Sequence, residues 1–328
     1  MPVAGSLYGL AYGDALGKET EFLTVPEIEE RYGPGGPADL PEPALVTDDT
    51  QMALAVGEAL VAAPAYRPDV LEPLLRQHFI DWARSPENNR APGMTCLRAV
   101  GGLAEGERWQ LATVVQSKGC GANMRVTPVG LVPDLPLVTL AGVAQFQAAL
   151  THGHPTALAA SELTAYATRA LRDGVPLVEV PGLLDERCAS QRYVYHGEWL
   201  GDLWQRAGAG SPVDFIAVGW DECRAALDRL AAALAAPDRS ADPCLATGAG
   251  WIAEEALVTA LYCALLHPDE PVAALRRAAC SSGDSDSIAC LTGAFHGAAY
   301  GLGCWPPEWQ GRIEYADRLA GLASAWTV

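Results

Sequence analysis

The chain has 328 residues, half of them hydrophobic and 19% charged, a composition that supports a packed core and excludes a disordered or linker-dominated protein. Its 40 acidic residues outweigh 22 basic ones, leaving a formal charge of -18 and a pI near 4.6. That field repels phosphate backbones and anionic membrane surfaces, so extended nucleic-acid grooves are disfavoured, while a small phosphate-bearing ligand stays compatible through backbone N–H groups, Arg or a metal ion.

Glycine recurs every four residues at the start of the chain, at Gly5, Gly9, Gly13 and Gly17. On a helix that spacing strips one face of side chains at about 1 kcal/mol per interior glycine, which implies close approach by another element. The same spacing returns at Gly293, Gly297 and Gly301. Tight helix packing explains both stripes better than direct ligand contact, and both helices are expected to be central. Between them helical periodicity dominates, with helices expected over residues 49–62, 70–83, 156–172, 222–235, 252–266 and 271–280. Breakers fall at 33–43, 128–136, 176–182 and 208–212. The closest approach to a strand is a short stretch around Leu177, Val178 and Val180. No flexible linker or fixed-period repeat interrupts the chain, so the expectation is an all-α fold in one domain, residues 1–328.

Four segments carry chemistry. Thr47, Asp48, Asp49 and Thr50 precede an apolar run. Asp48 with Gln51 makes a capping box, which accounts for one acid but not two. Adjacent carboxylates repel unless a cation neutralises them, and a hard ion such as Mg²⁺ or Mn²⁺ suits them. Gly283-Asp284-Ser285-Asp286-Ser287 repeats the pattern at another helix start. Two oxygen-rich helix starts more than 200 residues apart, with little Lys or Arg nearby in sequence, favour a shared dinuclear site over two separate caps. The third segment runs from Ser117 to Arg125, a glycine-rich loop whose open N–H groups suit a phosphate or ribose, although most such loops are simple turns. The fourth, 151–155, holds His152 and His154, either a ligand to substrate or solvated loop histidines. Nine cysteines without zinc spacing read as buried thiols of a reducing cytoplasm. The absence of a basic leader, and of any long uncharged apolar run, speaks against secretion and membrane spanning.

Taken in order, these segments make the chain similar to the ADP-ribosylglycohydrolase family, which includes dinitrogenase reductase-activating glycohydrolases and ADP-ribosylarginine hydrolases. The resemblance rests on GDALG (Gly13 to Gly17) followed by Glu21, on TDDT at 47–50, on SxGxGAxMR at 117–125, on THGHP at 151–155 and on GDSDS at 283–287. It implies a compact orthogonal helical bundle with two Mg²⁺ or Mn²⁺ ions at the floor of an ADP-ribose cleft. By motif position the metal ligands are Thr47, Asp48, Asp49, Asp284, Asp286 and Ser287. Ser117, Gly119, Cys120, Gly121, Asn123 and Met124 face the diphosphate and distal ribose, with His152 nearby and Glu21 at the cleft mouth. Cys120 stands where the family usually has Asn, and GDSDS replaces GDTDT.

The implied reaction hydrolyses the bond between the anomeric carbon of ADP-ribose and an acceptor, foremost an arginine of a protein. Asp48, Asp49 or Asp286 takes a proton from water, and Glu21 serves the leaving group or orients substrate. Serine-linked, nucleobase-linked or small-molecule ADP-ribose are the alternative acceptors, and a non-catalytic ADP-ribose-binding relative is the remaining one. The Tyr- and Trp-rich stretch 184–207 matches no motif, and it shapes either acceptor specificity or an oligomer contact. Trp251, Glu254 and Glu255 begin a helix whose counterpart in the family lies on the adenine side of the cleft, although helix entry and packing explain them nearly as well.

Overall fold

Glycines of the first helix (Pro2–Gly17) face the Ser285–Tyr300 helix in antiparallel register: Gly5 opposes Gly297, Gly9 opposes Gly293, Gly13 opposes Ala289 and Gly17 opposes Asp286. In the computed structural model, which describes residues 1–327, a Cβ on Gly5, Gly9, Gly13, Gly293 or Gly297 would fall on backbone of the facing helix. The stripes are therefore a packing device, and two backbones in contact offset the helix propensity that glycine sacrifices. Ser6 Oγ donates to the Ala294 carbonyl at 2.9 Å, and Trp305 Nε1 donates to the Gly5 carbonyl at 3.0 Å. Every residue of the first helix after Pro2 is buried, which is why its sequence shows no polar face.

Around this pair pack the Pro155–Arg172, Ala253–Leu266 and Pro271–Ala279 helices. The described residues form 18 α-helices and four short 3-10 helices, and among them backbone pairing outside helices is limited to three isolated bridges. The all-α expectation holds. One contiguous apolar cluster runs from Val3 to Trp326. No helix of the described residues is long and apolar enough to cross a membrane. All nine cysteines are free, and seven of them are buried.

Periodicity located five helices within two residues of their ends: Asp48–Ala62, Pro68–Arg84, Pro155–Arg172, Ala253–Leu266 and Pro271–Ala279. The sixth was cut short. Its helix is Pro212–Ala235, and Ser211 caps it by accepting the Asp214 N–H at 3.0 Å; the proline read as a breaker is its first residue, where a missing N–H costs nothing. Two other breaker segments also contain helix, Thr127–Leu131 and the start of Val180–Gln191. The β-branched stretch at 177–180 is a 3-10 turn leading into that second helix. The 184–207 stretch joins the core through Leu184, Trp199, Leu200 and Leu203, with Trp199 at 5.6 Å from the Phe146 ring.

Candidate active site

The antiparallel register sets the end of the first helix beside the start of the Ser285–Tyr300 helix, so Gly17 lies on the Asp286 backbone. One turn earlier, the fully buried Asp14 accepts hydrogen bonds from Thr47 N–H and Oγ1, both at 2.9 Å, from Thr50 N–H at 3.0 Å and from Thr50 Oγ1 at 2.5 Å. This carboxylate ties the start of the Asp48–Ala62 helix to the glycine-packed pair. The capping box expected of Asp48 and Gln51 does not form. Thr47 is the cap, its hydroxyl accepting the Asp49 N–H at 3.3 Å, and Gln51 instead accepts from Trp82 Nε1 and donates to the Glu87 carbonyl, both at 3.2 Å. Asp48 is thereby released from capping, and its Oδ2 accepts the Gly93 N–H at 3.0 Å.

These helix starts form the floor of a cleft of about 320 Å³, lined there by Asp48, Asp49, Asp284, Asp286 and Ser287. Glu21 closes in from the mouth, with carboxylate oxygens of Glu21, Asp284 and Asp286 within 4.8 Å of one another. One wall is Gly119, Cys120, Gly121, Met124 and His152, and the other is residues 91–96. At the rim Phe22 and Trp251 stack, centroids 5.6 Å apart and planes 15° from parallel. Phe22 and Ala91 on opposite sides hold positive φ of 67° and 47°, a conformation that costs a non-glycine residue about 1–2 kcal/mol.

The glycine wall is pinned from behind. Cys120 N–H donates to the Trp251 carbonyl at 3.1 Å, Ala253 N–H donates to the Lys118 carbonyl at 2.9 Å, and Lys118 Nζ bonds Glu222 at 2.7 Å and Glu254 at 2.6 Å. At Gly121 a Cβ would stand 2.9 Å from Cys96 Sγ and 3.1 Å from the His152 ring, so only glycine fits there. Burial, then the charge of Arg125, hold His152 down to about 3, leaving a neutral imidazole. Its Nδ1 pairs with Thr151 Oγ1 at 2.8 Å, and its Nε2 turns toward Gly119 and Gly121 at the cleft surface.

Among the described residues no Lys or Arg forms an ion pair with Asp14, Glu21, Asp48, Asp49, Asp284 or Asp286. Burial first, and then repulsion centred on Asp286, raise these carboxyls: Asp14 and Asp48 to about 7, Glu21 to about 9, and Asp49 and Asp284 well above the ordinary range. For Asp48 the Gly93 N–H opposes the rise. Asp49 Oδ2 is buried without a hydrogen-bond partner. Concentrated, uncompensated carboxylate oxygen with an orphaned lone pair fits a hard divalent cation.

Eleven of the expected residues line this cleft: Glu21, Asp48, Asp49, Gly119, Cys120, Gly121, Met124, His152, Asp284, Asp286 and Ser287. Three stand behind it. Thr47 Oγ1 is turned onto Asp14 and also reaches Asp286, Ser117 Oγ pairs with Thr95 Oγ1 at 3.0 Å, and Asn123 Nδ2 donates to the Ala253 carbonyl at 3.0 Å. Sequence reasoning missed Asp14, Phe22 and the 91–96 wall. An acid inside a glycine stripe was the available signal for Asp14, since a helix face stripped for packing has no room for an unpartnered charge; the 91–96 wall carries no such signal.

Comparisons with known proteins point to one family. An ADP-ribosyl-[dinitrogen reductase] glycohydrolase of Rhodospirillum rubrum is 34% identical over 48% of this chain and 53% of its own length. The chain thus spans about half the length of the curated relatives it matches in this way. An ADP-ribosylarginine hydrolase Tri1 of Serratia proteamaculans is 26% identical over 97% of this chain and 77% of its own. A solved ADP-ribosylglycohydrolase-related protein complex superposes with a TM-score of 0.68 at 25% identity, covering 99% of this chain and 96% of that one. With the ADP-ribosylglycohydrolase family model matching residues 2–328, the chain belongs to the ADP-ribosylglycohydrolase family.

Proposed function

We propose that this protein is a metal-dependent hydrolase that removes ADP-ribose from a modified acceptor, foremost an arginine side chain of a protein, in the cytoplasm. The observation that carries this reading is the cluster of buried carboxylates without a basic partner, opening onto a cleft with one glycine-rich wall. Thr47, Asp48, Asp49, Asp284, Asp286 and Ser287 would hold two Mg²⁺ or Mn²⁺ ions. When bound, such ions supply Lewis-acid stabilisation of ribose oxygens and a nucleophilic water at neutral pH.

The chain's own groups supply the rest. Cleavage at an anomeric carbon develops positive charge on the sugar, and the carboxylate floor offers the matching negative field. A carboxylate among Asp48, Asp49 and Asp286 accepts the water's proton. Glu21, half-buried at the mouth, serves the leaving group. The wall at 119–121 lets a diphosphate approach the backbone closely, and the neutral His152 offers Nε2 to a hydroxyl or phosphate oxygen. Arginine stands first among acceptors because a relative aligned over nearly this whole chain is an ADP-ribosylarginine hydrolase.

The test is a product assay on ADP-ribosylarginine, with Mg²⁺ and with EDTA, resolving free ADP-ribose from AMP by chromatography. Release of ADP-ribose that stops in EDTA and in Asp286→Asn is the expected result. Wild-type turnover by Asp286→Asn would sink the metal-centred scheme, and release only from serine- or nucleobase-linked substrate would replace the acceptor.

A further inference from the structure

The start of the Ala253–Leu266 helix touches both halves of the site. Two adjacent acids stand there, Glu254 and Glu255. Acids in a first turn offset the helix dipole from a solvated position, but neither of these is placed for that alone. Glu254 is 4% exposed, and its Oε1 lies 2.6 Å from Lys118 Nζ. Glu255 folds back over the helix entry, where its Oε2 accepts the Ala249 N–H, six residues earlier, at 3.0 Å. Successive side chains on a helix diverge by about 100°, so the two carboxylates serve different neighbours.

What Glu255 holds is a turn wedged against the second acid cluster. Gly248 and Gly250 have positive φ of 115° and 84°, which turns Ala249 so that its N–H meets Glu255 and its carbonyl accepts the Asp284 N–H at 2.8 Å. There is no slack on either side. A Cβ on Gly248 would stand 2.4 Å from Glu255 Cδ, and one on Gly283 would stand 2.0 Å from the Ala249 carbonyl oxygen. Thr259 Oγ1, one helical turn past Glu255, donates to the Gly248 carbonyl at 2.9 Å and fixes the turn to the same helix.

Asp284 depends on that contact. It occupies the cap position of the Ser285–Tyr300 helix, where an aspartate ordinarily folds over to accept an N–H of the first turn. Among the described residues its side chain makes no capping bond, and the Ser287 N–H goes instead to Asp286 Oδ1 at 3.0 Å. The Asp284 carboxylate is thus left for the cleft, and its position is set from its backbone, through Ala249 and Glu255. On the other side Glu254 acts on the glycine wall. Lys118, which it holds, accepts the Ala253 N–H through its carbonyl and precedes Gly119, which is bridged to Ile252.

We propose that Glu255 and Glu254 are positioning residues that divide the site between them: Glu255 sets the cation ligand Asp284 through Ala249, and Glu254 sets the diphosphate wall at 119–121 through Lys118. This division rests on the reading of the cleft as a metal-dependent ADP-ribose site, whose two halves the helix start keeps in register.

Mn²⁺ affinity is read from the EPR signal of free Mn²⁺, and ADP-ribose affinity by calorimetry at saturating Mn²⁺. The proteins are wild type, Glu255→Ala, Glu255→Gln and Glu254→Leu, each checked for folding by thermal unfolding. The expected Mn²⁺ Kd is at least about tenfold higher in Glu255→Ala and close to wild type in Glu255→Gln, which keeps an acceptor oxygen at the same reach. Glu254→Leu should leave the Mn²⁺ Kd unchanged and raise the ADP-ribose Kd about tenfold. Where Glu255→Ala or Glu254→Leu does not fold, Glu255→Asp and Lys118→Met break the same contacts. Wild-type Mn²⁺ affinity in Glu255→Ala, failure of Glu255→Gln to restore it, or equal losses of Mn²⁺ affinity in the Glu254 and Glu255 variants overturns the proposal, as does an unchanged ADP-ribose Kd in Glu254→Leu. If wild type binds neither Mn²⁺ nor ADP-ribose, the reading of the cleft has failed, and hydrogen exchange at the Asp284 amide decides the positioning role. Exchange about fivefold faster in Glu255→Ala but not in Glu254→Leu supports it; exchange equal to wild type, or faster to the same degree in both variants, overturns it.

Discussion

Gly17→Ala is the sharpest test of how the fold builds the site. The new Cβ would lie 2.3 Å from the Asp286 Cα and 2.5 Å from the Ser285 carbonyl oxygen, about 1 Å short of ordinary contact at 3.4 Å. Neither obstacle is the flexible end of a side chain, so the start of the Ser285–Tyr300 helix must retreat by about that distance. Overpacking of this kind costs about 1–3 kcal/mol, against a gain of about 1 kcal/mol from replacing a helical glycine. The same displacement moves Asp286 relative to Asp48 and Asp49, and a shift of about 1 Å at a reacting centre lowers turnover about 100-fold. Thermal unfolding and ADP-ribosylarginine hydrolysis measure the two effects together. A fall in Tm of no more than about 3 °C with a loss of turnover far larger than that stability change explains is the expected pair. Gly321→Ala, also on a helix but with nothing within 4 Å of its Cβ, should hold or raise Tm and leave turnover intact. Wild-type turnover in Gly17→Ala would refute the claim that the glycine register positions the carboxylates.

Arg125 is fully buried, donates to Gln147 Oε1, the Gln147 carbonyl and Thr151 Oγ1, and lies 4.3 Å over the Phe79 ring. Arg125→Met should lower stability by about 3 kcal/mol in urea titration, because three acceptors lose their donor. His152 sets a pH dependence. Held down to about 3 against an ordinary 6.5, it refuses a proton that the unfolded chain accepts, so its contribution makes stability fall as pH drops from about 6.5 toward 3. The stability of wild type minus that of His152→Gln should shrink by about 2 kcal/mol between pH 7 and pH 5; a constant difference would rule this out. The Phe22–Trp251 stack at the rim predicts that ADP-ribose changes tryptophan emission, and that Trp251→Phe removes most of the change.

Much of this was legible in the sequence, and the gaps have physical causes. Helices at 48–62 and 253–266 could be read because the chain enters them from polar or turn residues. Residues 212–221 could not, because a proline after glycines signals a stop and a helix start equally well. The two acid clusters announced themselves as doublets that capping alone does not explain, whereas Asp14 looked like a single acid in a packing stripe. Its role depends on Thr47 and Thr50, 33 and 36 residues away, a pairing that only the folded chain creates. Gly93 joins the site through a backbone N–H, which no side-chain pattern encodes. Ser117 and Asn123 were assigned to the cleft face by motif position, yet both turn their side chains into the support behind it.

The pairing of the Pro2–Gly17 and Ser285–Tyr300 helices also governs how the protein is made. Ser285 donates to the Gly17 carbonyl across 268 residues, and at about 5–20 residues per second a ribosome needs roughly a quarter of a minute to a minute to cover that interval. Throughout it the first helix, buried along its whole length in the fold and weakened by four glycines, lacks the helix that covers its glycine face. That glycine face must therefore be shielded in the nascent chain, most of all in cells with slow elongation. Synthesis of the last helices completes the core and brings the acid clusters together in the same event, so a partly made chain has no site with which to act.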